Sequence, residues 1–179
     1  MSNNFVDFKE NLISFKQVTQ EDYPLLLSWF KEPHVASWWP VPEEHESFEH
    51  FLIRIRSRET YAYFVMIDNK PIGYIQYYLI DRNNEKTGSW LPPLPQATIG
   101  TDQFIGNSDY LNKGYGTVFI KEFIGYLKKE LYPEVTTLIV DPEPSNTAAI
   151  RCYEKVGFVS MGTYEAPWGP AVLMRYDIK

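Results

Sequence analysis

A polar turn in the second half of the sequence contains residues whose types and spacing could bind a ligand. It reads Asn112-Lys113-Gly114-Tyr115-Gly116-Thr117 and lies between a predicted strand and a predicted helix. The first N–H groups of a helix lack intrahelical partners and lie at the positive end of its dipole, so such a turn can bind an anion. Glycines at 114 and 116 would let a phosphate approach the backbone, and Lys113 adds positive charge. The alternative is an ordinary tight turn closed by a glycine cap.

This glycine turn lacks two common nucleotide-binding motifs. A dinucleotide motif would need a further glycine where Phe119 stands. A P-loop would need Gly-Lys-Ser/Thr after four intervening residues, and that order is absent. The turn alone therefore does not identify its phosphate ligand.

Composition argues against several classes of function. The chain has 23 acidic and 17 basic residues, a formal net charge of -6, whereas nucleic-acid binders usually carry a basic excess. A single cysteine, Cys152, excludes an internal disulfide and a multi-cysteine zinc site, and the three histidines do not have the spacing of a zinc protease. We expect no metal, no nucleic acid and no membrane partner. The N-terminus does not resemble a secretory signal, so we expect a cytoplasmic protein.

The elements that must position the turn follow from hydrophobic periodicity and turn residues. In chain order they are a strand at 12–18, a helix from the Thr19 cap to Pro33, a helix at 43–59, strands at 61–67, 71–80 and 97–105, a helix after the glycine turn, a strand at 135–140, a helix at 146–156 and two final strands. Helix-linked strands run parallel and hairpins run antiparallel, so we expect an α/β domain with a central mixed sheet flanked by helices. Residues 1–11 form an N-terminal extension and 12–179 a single domain in this prediction. The long Pro-rich loop at 81–96 could act as a lid.

The sequence resembles the GNAT family of acetyl-CoA-dependent N-acetyltransferases at two motifs. The helix after the segment Asp141-Pro142-Glu143-Pro144-Ser145-Asn146 fits the family pattern Asn-x-x-Ala-x-x-x-Tyr-x-x-x-Gly-Phe, with Asn146, Ala149, Tyr153, Gly157 and Phe158. The glycine turn fits the family's phosphate turn except that Leu111 replaces the usual Arg or Gln. The resemblance covers almost the whole chain from Leu12 onward.

This resemblance implies a site for acetyl-CoA and no metal. The pyrophosphate would lie on Asn112, Lys113, Gly114, Tyr115, Gly116 and Thr117, and the pantetheine arm would run along Gln103, Phe104 and Ile105 where that strand separates from the strand at 135–140. Asn146 would contact the pantetheine. The other partner would be a small-molecule amine, with the protein a monomer or a homodimer.

The chemistry of amine acetylation points to a carboxylate and a phenol. An alkyl ammonium must lose a proton before it attacks a thioester, and the leaving thiolate benefits from a weak acid nearby. We expect Asp102 to act as base or amine anchor and Tyr153 as acid, although Asp102 could instead be a salt-bridge partner and Tyr153 a core residue. Cys152 could form an acetyl-cysteine intermediate. Consecutive helical residues point about 100° apart, so we expect Tyr153 to face the thioester and Cys152 to be a small buried residue.

Within the GNAT family the sequence resembles aminoglycoside 6'-N-acetyltransferases of the enterobacterial plasmid-borne type. The matching segments include His34-Val35-Ala36-Ser37-Trp38-Trp39, Pro71-Ile72-Gly73-Tyr74-Ile75-Gln76-Tyr77-Tyr78, Gly100-Thr101-Asp102-Gln103 and Gly169-Pro170-Ala171-Val172. The resemblance implies a drug site lined by Trp39, Gln76, Tyr78, Asp102 and Asp141, and we add Trp90 from the loop at 81–96. Aromatic faces pack on sugar rings and attract ammonium groups, and carboxylates pair with them.

One departure keeps two alternatives open. The resembling enzymes have an acidic stretch before the Asp102 strand, whereas this chain has Ser89-Trp90-Leu91-Pro92-Pro93-Leu94-Pro95. A less acidic site would suit acetylation of N6-hydroxylysine in siderophore assembly. A catalytically silent acyl-CoA-binding protein is the third interpretation.

Overall fold

The computed structural model describes residues 13–39, 52, 53, 55, 56, 60–81, 83 and 88–179. The predicted extension at 1–11 and most of the predicted helix at 43–59 lie outside these residues. Positions 52, 53, 55 and 56 of that helix are helical.

A seven-stranded mixed sheet forms the centre of the described structure. Its strands are β1 (Ile13–Gln17), β2 (Tyr61–Ile67), β3 (Lys70–Leu79), β4 (Thr98–Ile105), β5 (Thr137–Val140), β6 (Val159–Ala166) and β7 (Gly169–Asp177). They lie in the order β1-β2-β3-β4-β5-β7-β6. The β4–β5 pair is parallel and the other neighbouring pairs are antiparallel, which confirms the predicted mixed sheet.

The helices pack on both sides of this sheet. They are α1 (Tyr23–Phe30), α2 (Pro33–Ala36), α3 (Tyr115–Tyr126), which continues as a π-helical turn at Leu127–Leu131, and α4 (Thr147–Val156). Thr19, the predicted cap, forms a capping box with Asp22, and Thr19 N donates to Asp22 Oδ2 over 2.9 Å. Residues Gln20–Asp22 form a 3₁₀ turn that leads into α1. Pro33 starts α2 three residues after α1 ends.

Alternation along β4 sends successive side chains to opposite faces of the sheet. Ile99 and Ile105 pack with the buried residues of α3 and α4, such as Phe119 and Phe123. Phe104 packs on the other face, with the cluster formed by α1, β2 and β3. Asp102 shares the face of Phe104, and Gln103 shares the face of α3 and α4.

The strands β4 and β5 separate part of the way along the sheet. Their parallel ladder covers three positions, Thr98↔Thr137, Ile99↔Leu138 and Gly100↔Ile139. Beyond Gly100, β4 continues to Ile105 while staying paired to β3. The two strands therefore diverge beyond the ladder, and a groove opens beside the 101–105 half of β4.

Candidate active site

The predicted phosphate turn lies at the end of β4 that borders this groove. Gly114 is the N-cap of α3 and has a φ of 86°, a left-handed conformation that glycine adopts without a steric cost. Asn112, two residues earlier, also has a positive φ of 58°. The chain thus turns sharply at both residues, and the first-turn N–H groups of α3 have no partners within the helix.

Gly116 has a packing role that the sequence did not indicate. A Cβ at this position would lie 3.2 Å from Cys152 Sγ, so α3 approaches α4 closely at this point. Cys152 also contacts the Thr117 hydroxyl over 3.5 Å. Burial raises the pKa of the Cys152 thiol. A thiol that faces α3 and resists ionisation is a poor nucleophile, which favours direct acetyl transfer over an acetyl-cysteine intermediate.

Asp102 is held by a polar side chain from β3. Its Cα partner in the antiparallel ladder is Gln76, and Gln76 Nε2 donates to Asp102 Oδ2 over 2.8 Å. Gln76 Oε1 in turn accepts a hydrogen bond of 2.7 Å from the Tyr74 hydroxyl. Gln76 is 2% exposed and both ends of its amide are engaged. The side-chain amide of Gln76 therefore bonds to Asp102 and to Tyr74.

Tyr153 is held from the opposite face of β4. Gln103 Nε2 donates to Tyr153 Oη over 2.5 Å, and Thr101 Oγ1 donates to Gln103 Oε1 over 3.0 Å. Because Tyr153 Oη accepts from Gln103, its own proton is available to donate elsewhere. Burial and the nearby Asp102 charge raise the pKa of Tyr153 well above its ordinary value. The phenol therefore stays protonated at neutral pH.

Asp141 follows β5 directly and brings a second carboxyl group to the same place. Burial, together with the charge of Asp102, raises the pKa of Asp141 from 3.8 to about 7. The charges of Asp102 and Asp141 also both act on Tyr153. Two carboxyl groups and one phenol thus converge beside the groove, where they form an anionic centre with one weak acid.

Two of the predicted aromatic substrate residues line the same face as Asp102. The ring of Tyr78 lies over Gly100, its Cα partner, so closely that a Cβ at 100 would be 2.3 Å from the ring. Trp39 is partly buried and packs edge-on against Tyr74 at 5.9 Å and Phe104 at 5.3 Å. Aromatic surfaces therefore border the carboxyl pair on this face.

Trp90 packs against a tryptophan that the sequence analysis did not single out. The ring of Trp168, at the β6–β7 turn, meets Trp90 edge to face at 5.5 Å and is 58% exposed. The neighbouring Leu91 is buried with Ile139 and Leu173, which anchors this part of the 81–96 loop on the sheet. Trp90 Nε1 is buried without a hydrogen-bond partner among the described residues. The sequence signal for Trp168 is a tryptophan at the turn between the last two predicted strands.

Asn146 caps α4. Its Oδ1 accepts a hydrogen bond of 3.1 Å from Ala149 N, as expected for an N-cap asparagine. The capping bond uses the amide oxygen, and the Nδ2 amide group can still donate to a ligand.

Two further findings bear on the predicted absence of metal and membrane. Among the described residues, no group of three His, Cys, Asp or Glu side chains is arranged to hold a metal ion. Within the same ranges, each helix is too short or too polar to cross a bilayer.

Comparison with known proteins gives a consistent assignment. Residues 18–166 match the family model described as "Acetyltransferase (GNAT) domain". Aminoglycoside N(6')-acetyltransferase type 1 of Klebsiella pneumoniae is 34% identical over 167 residues, which is 90% of this chain and 81% of the relative.

Two solved structures extend the similarity to the fold. AAC(6')-Ib in complex with coenzyme A and kanamycin has a TM-score of 0.81 and 33% identity, and the match covers 92% of this chain and 94% of that one. The same enzyme with an aminoglycoside and acetyl-CoA has a TM-score of 0.82 and 32% identity, over 93% and 94% of the two chains. With the family model, the 34% identity and the shared sheet, this chain belongs to the GNAT family of acetyltransferases, among the relatives of the aminoglycoside N(6')-acetyltransferases.

Proposed function

We propose that this protein transfers the acetyl group of acetyl-CoA directly to the 6'-amine of an aminoglycoside. The observation that carries the proposal is the convergence of Asp102, Asp141 and Tyr153 beside the β4–β5 groove. The relatives supply the substrate class, since they are aminoglycoside acetyltransferases and their solved complexes contain coenzyme A or acetyl-CoA with aminoglycosides.

The groove and the glycine turn fit the two ends of coenzyme A. First-turn N–H groups of α3, with Lys113, would bind the pyrophosphate, as a Gly114 N-cap with positive φ leaves the backbone open to it. Backbone groups on the 103–105 edge of β4 are not part of the β5 ladder and would pair with the amides of the pantetheine arm. Asn146 Nδ2 would add a contact from the start of α4.

Acetyl-CoA supplies the thioester carbonyl that the amine attacks. Asp102 and Asp141 would hold the acceptor as an ammonium group and align it with the groove. Asp102 would then take the proton that the nitrogen must lose before or during attack. As the new C–N bond forms and the C–S bond breaks, the Tyr153 hydroxyl would donate its hydrogen bond or proton to the departing sulfur.

The anionic centre and the aromatic borders suit an amino sugar. A carboxyl pair attracts polycations, and Tyr78, Trp39 and the Trp90–Trp168 pair offer flat surfaces for sugar rings. We place the reaction in the cytoplasm, where acetyl-CoA is available, with the protein as a monomer or homodimer.

A second candidate reaction is acetylation of N6-hydroxylysine. Residues 89–95, which include Trp90, contain no carboxylate, so the site has less negative charge on that side than the resembling enzymes would supply. A nearly neutral hydroxylamine needs less negative charge than a polycationic drug.

A thiol-release screen separates these possibilities. Purified protein with acetyl-CoA is expected to release coenzyme A thiol on addition of kanamycin or tobramycin, and a panel of aminoglycosides without release would refute the proposal. Release with N6-hydroxylysine alone would establish the second candidate. Tight acetyl-CoA binding with no turnover of either amine class would indicate a silent acyl-CoA-binding protein.

A further inference from the structure

Three side chains form a buried hydrogen-bonded chain that ends on Asp102. Tyr74 is completely buried, and its hydroxyl donates to Gln76 Oε1 over 2.7 Å. Gln76, 2% exposed, donates from Nε2 to Asp102 Oδ2 over 2.8 Å. Tyr74 and Gln76 are two residues apart on β3, so they share one face of the strand. We call Tyr74, Gln76 and Asp102 the β3 relay.

The direction of this relay is set by the orientation of the Gln76 amide. In the structure its NH₂ group faces Asp102 and donates to the carboxylate. The amide oxygen of Gln76 must then face Tyr74, and only a donating hydroxyl can satisfy it. If Asp102 took up a proton on Oδ2, it would meet the NH₂ group donor to donor. The relay therefore favours the ionised form of Asp102.

A second carboxyl group and a phenol lie close to Asp102. Burial, together with the charge of Asp102, raises the pKa of the neighbouring Asp141 carboxyl to about 7. Tyr153, on the other side of β4, is a buried neutral phenol that also feels both charges. Two neighbouring carboxyl groups oppose each other's ionisation, and an N–H donor at one of them favours ionisation of that group.

We propose that Tyr74 and Gln76 are positioning residues that hold Asp102 ionised and in a single orientation toward the acceptor amine. This inference rests on the proposed function for its substrate, but the relay itself is a property of the unliganded protein. The ring of Tyr74 packs against Trp39 and Phe104, which holds its hydroxyl beside the amide of Gln76.

The kinetic test uses Tyr74→Phe, which removes only the hydroxyl. We expect KM for kanamycin to rise about 3- to 10-fold, the range that loss of one hydrogen bond amounts to, with KM for acetyl-CoA unchanged. The acid limb of the kcat/KM profile for the amine should move to higher pH. Gln76→Glu, which keeps the shape but puts a carboxylate beside Asp102, should move it further.

A double-mutant cycle distinguishes positioning from a general loss of packing. If Tyr74 acts through Asp102, adding Tyr74→Phe to Asp102→Asn should produce no further loss of kcat/KM. Equal losses in the wild-type and Asp102→Asn backgrounds would overturn the proposal. Tyr77→Phe is the matched control, since Tyr77 is a buried tyrosine of β3 that packs on the α3 side of the sheet. It should leave the pH profile of the amine unchanged.

A ligand-free measurement keeps the relay testable even if no aminoglycoside is a substrate. In protein with ¹³C-labelled aspartate carboxyl groups, the Asp102 signal is assigned by its loss in Asp102→Asn. We expect this signal to titrate at higher pH in Tyr74→Phe than in the wild type and in Tyr77→Phe. Identical titrations in all three proteins would refute the relay, whereas absence of turnover with a shifted titration would refute only the proposed substrate.

Discussion

Replacing Asp141 with asparagine should stabilise the protein at alkaline pH and weaken its binding of the acceptor. The pKa of Asp141 in the folded protein is about 7, against an ordinary value of 3.8. At pH values between these two pKa values, the Asp141 carboxyl holds a proton in the native protein but not in the unfolded chain. Native stability therefore falls as pH rises through this window, and the loss is complete above the folded pKa.

The size of the effect follows from the two pKa values. The wild type should lose about 2 to 3 kcal/mol of unfolding free energy between pH 5 and pH 8 through this group, because each pKa unit corresponds to about 1.36 kcal/mol. Asparagine does not titrate, so Asp141→Asn should lack this loss. Burial is the main cause of the raised pKa and the charge of Asp102 the second, so Asp102→Asn should reduce this loss without abolishing it.

Urea denaturation at a series of pH values measures this difference directly. As pH rises from 5 to 8, the free energy of unfolding should fall further in the wild type than in Asp141→Asn. Glu122→Gln removes an equal charge from an exposed position on α3 and is the matched control. In Asp141→Asn, KM for an aminoglycoside should increase by about tenfold or more, since asparagine cannot lose a proton and pair with the bound ammonium group. Parallel stability curves for the two proteins would refute the burial and pairing inferred for Asp141.

Four other substitutions test separate parts of the site. Asp102→Asn should lower kcat/KM for the amine by about 10² or more if Asp102 is the base, and turnover like that of the wild type would assign the proton to another acceptor. Gly100→Ala should raise KM for the amine several-fold and leave acetyl-CoA binding intact in calorimetry, because the new Cβ would lie 2.3 Å from the Tyr78 ring. Gly114→Ala should do the opposite, raising KM for acetyl-CoA at a cost of about 1 kcal/mol in stability, since alanine is strained at a φ of 86°. Cys152→Ala should keep sequential kinetics and most of the activity, and a labelled acetyl-cysteine in the wild type would contradict direct transfer.

Local signals in the sequence predicted much of the fold. Thr19 was predicted as the helix cap, and it forms a capping box with Asp22. The strands predicted at 61–67 and 71–80 flank Asp68-Asn69-Lys70, and Asp68 and Asn69 adopt the positive φ that a two-residue hairpin turn requires. The strand before the glycine turn and the strand after α3 predicted a parallel pair, since the helix between them crosses the sheet.

The contacts within the site depend on register, which no local signal reports. Pairing of Gln76 with Asp102 is set by the alignment of β3 and β4 across a loop of more than a dozen residues, so the sequence placed both residues in the site but did not predict their hydrogen bond. Tyr74 carries no sequence signal of its role, because that role depends on the same bond. The raised pKa of Asp141 depends on burial by elements distant in sequence, and the contact of Trp168 with Trp90 depends on the packing of the neighbouring Leu91 against β5 and β7.

The most direct test of the proposed reaction is the structure of its product. The protein is incubated with acetyl-CoA and kanamycin, and the product is examined by mass spectrometry and two-dimensional NMR. We expect one added acetyl group, located on the 6'-nitrogen, and a large loss of this product with Asp102→Asn. Unmodified kanamycin, or an acetyl group on a different amine, would contradict the proposal.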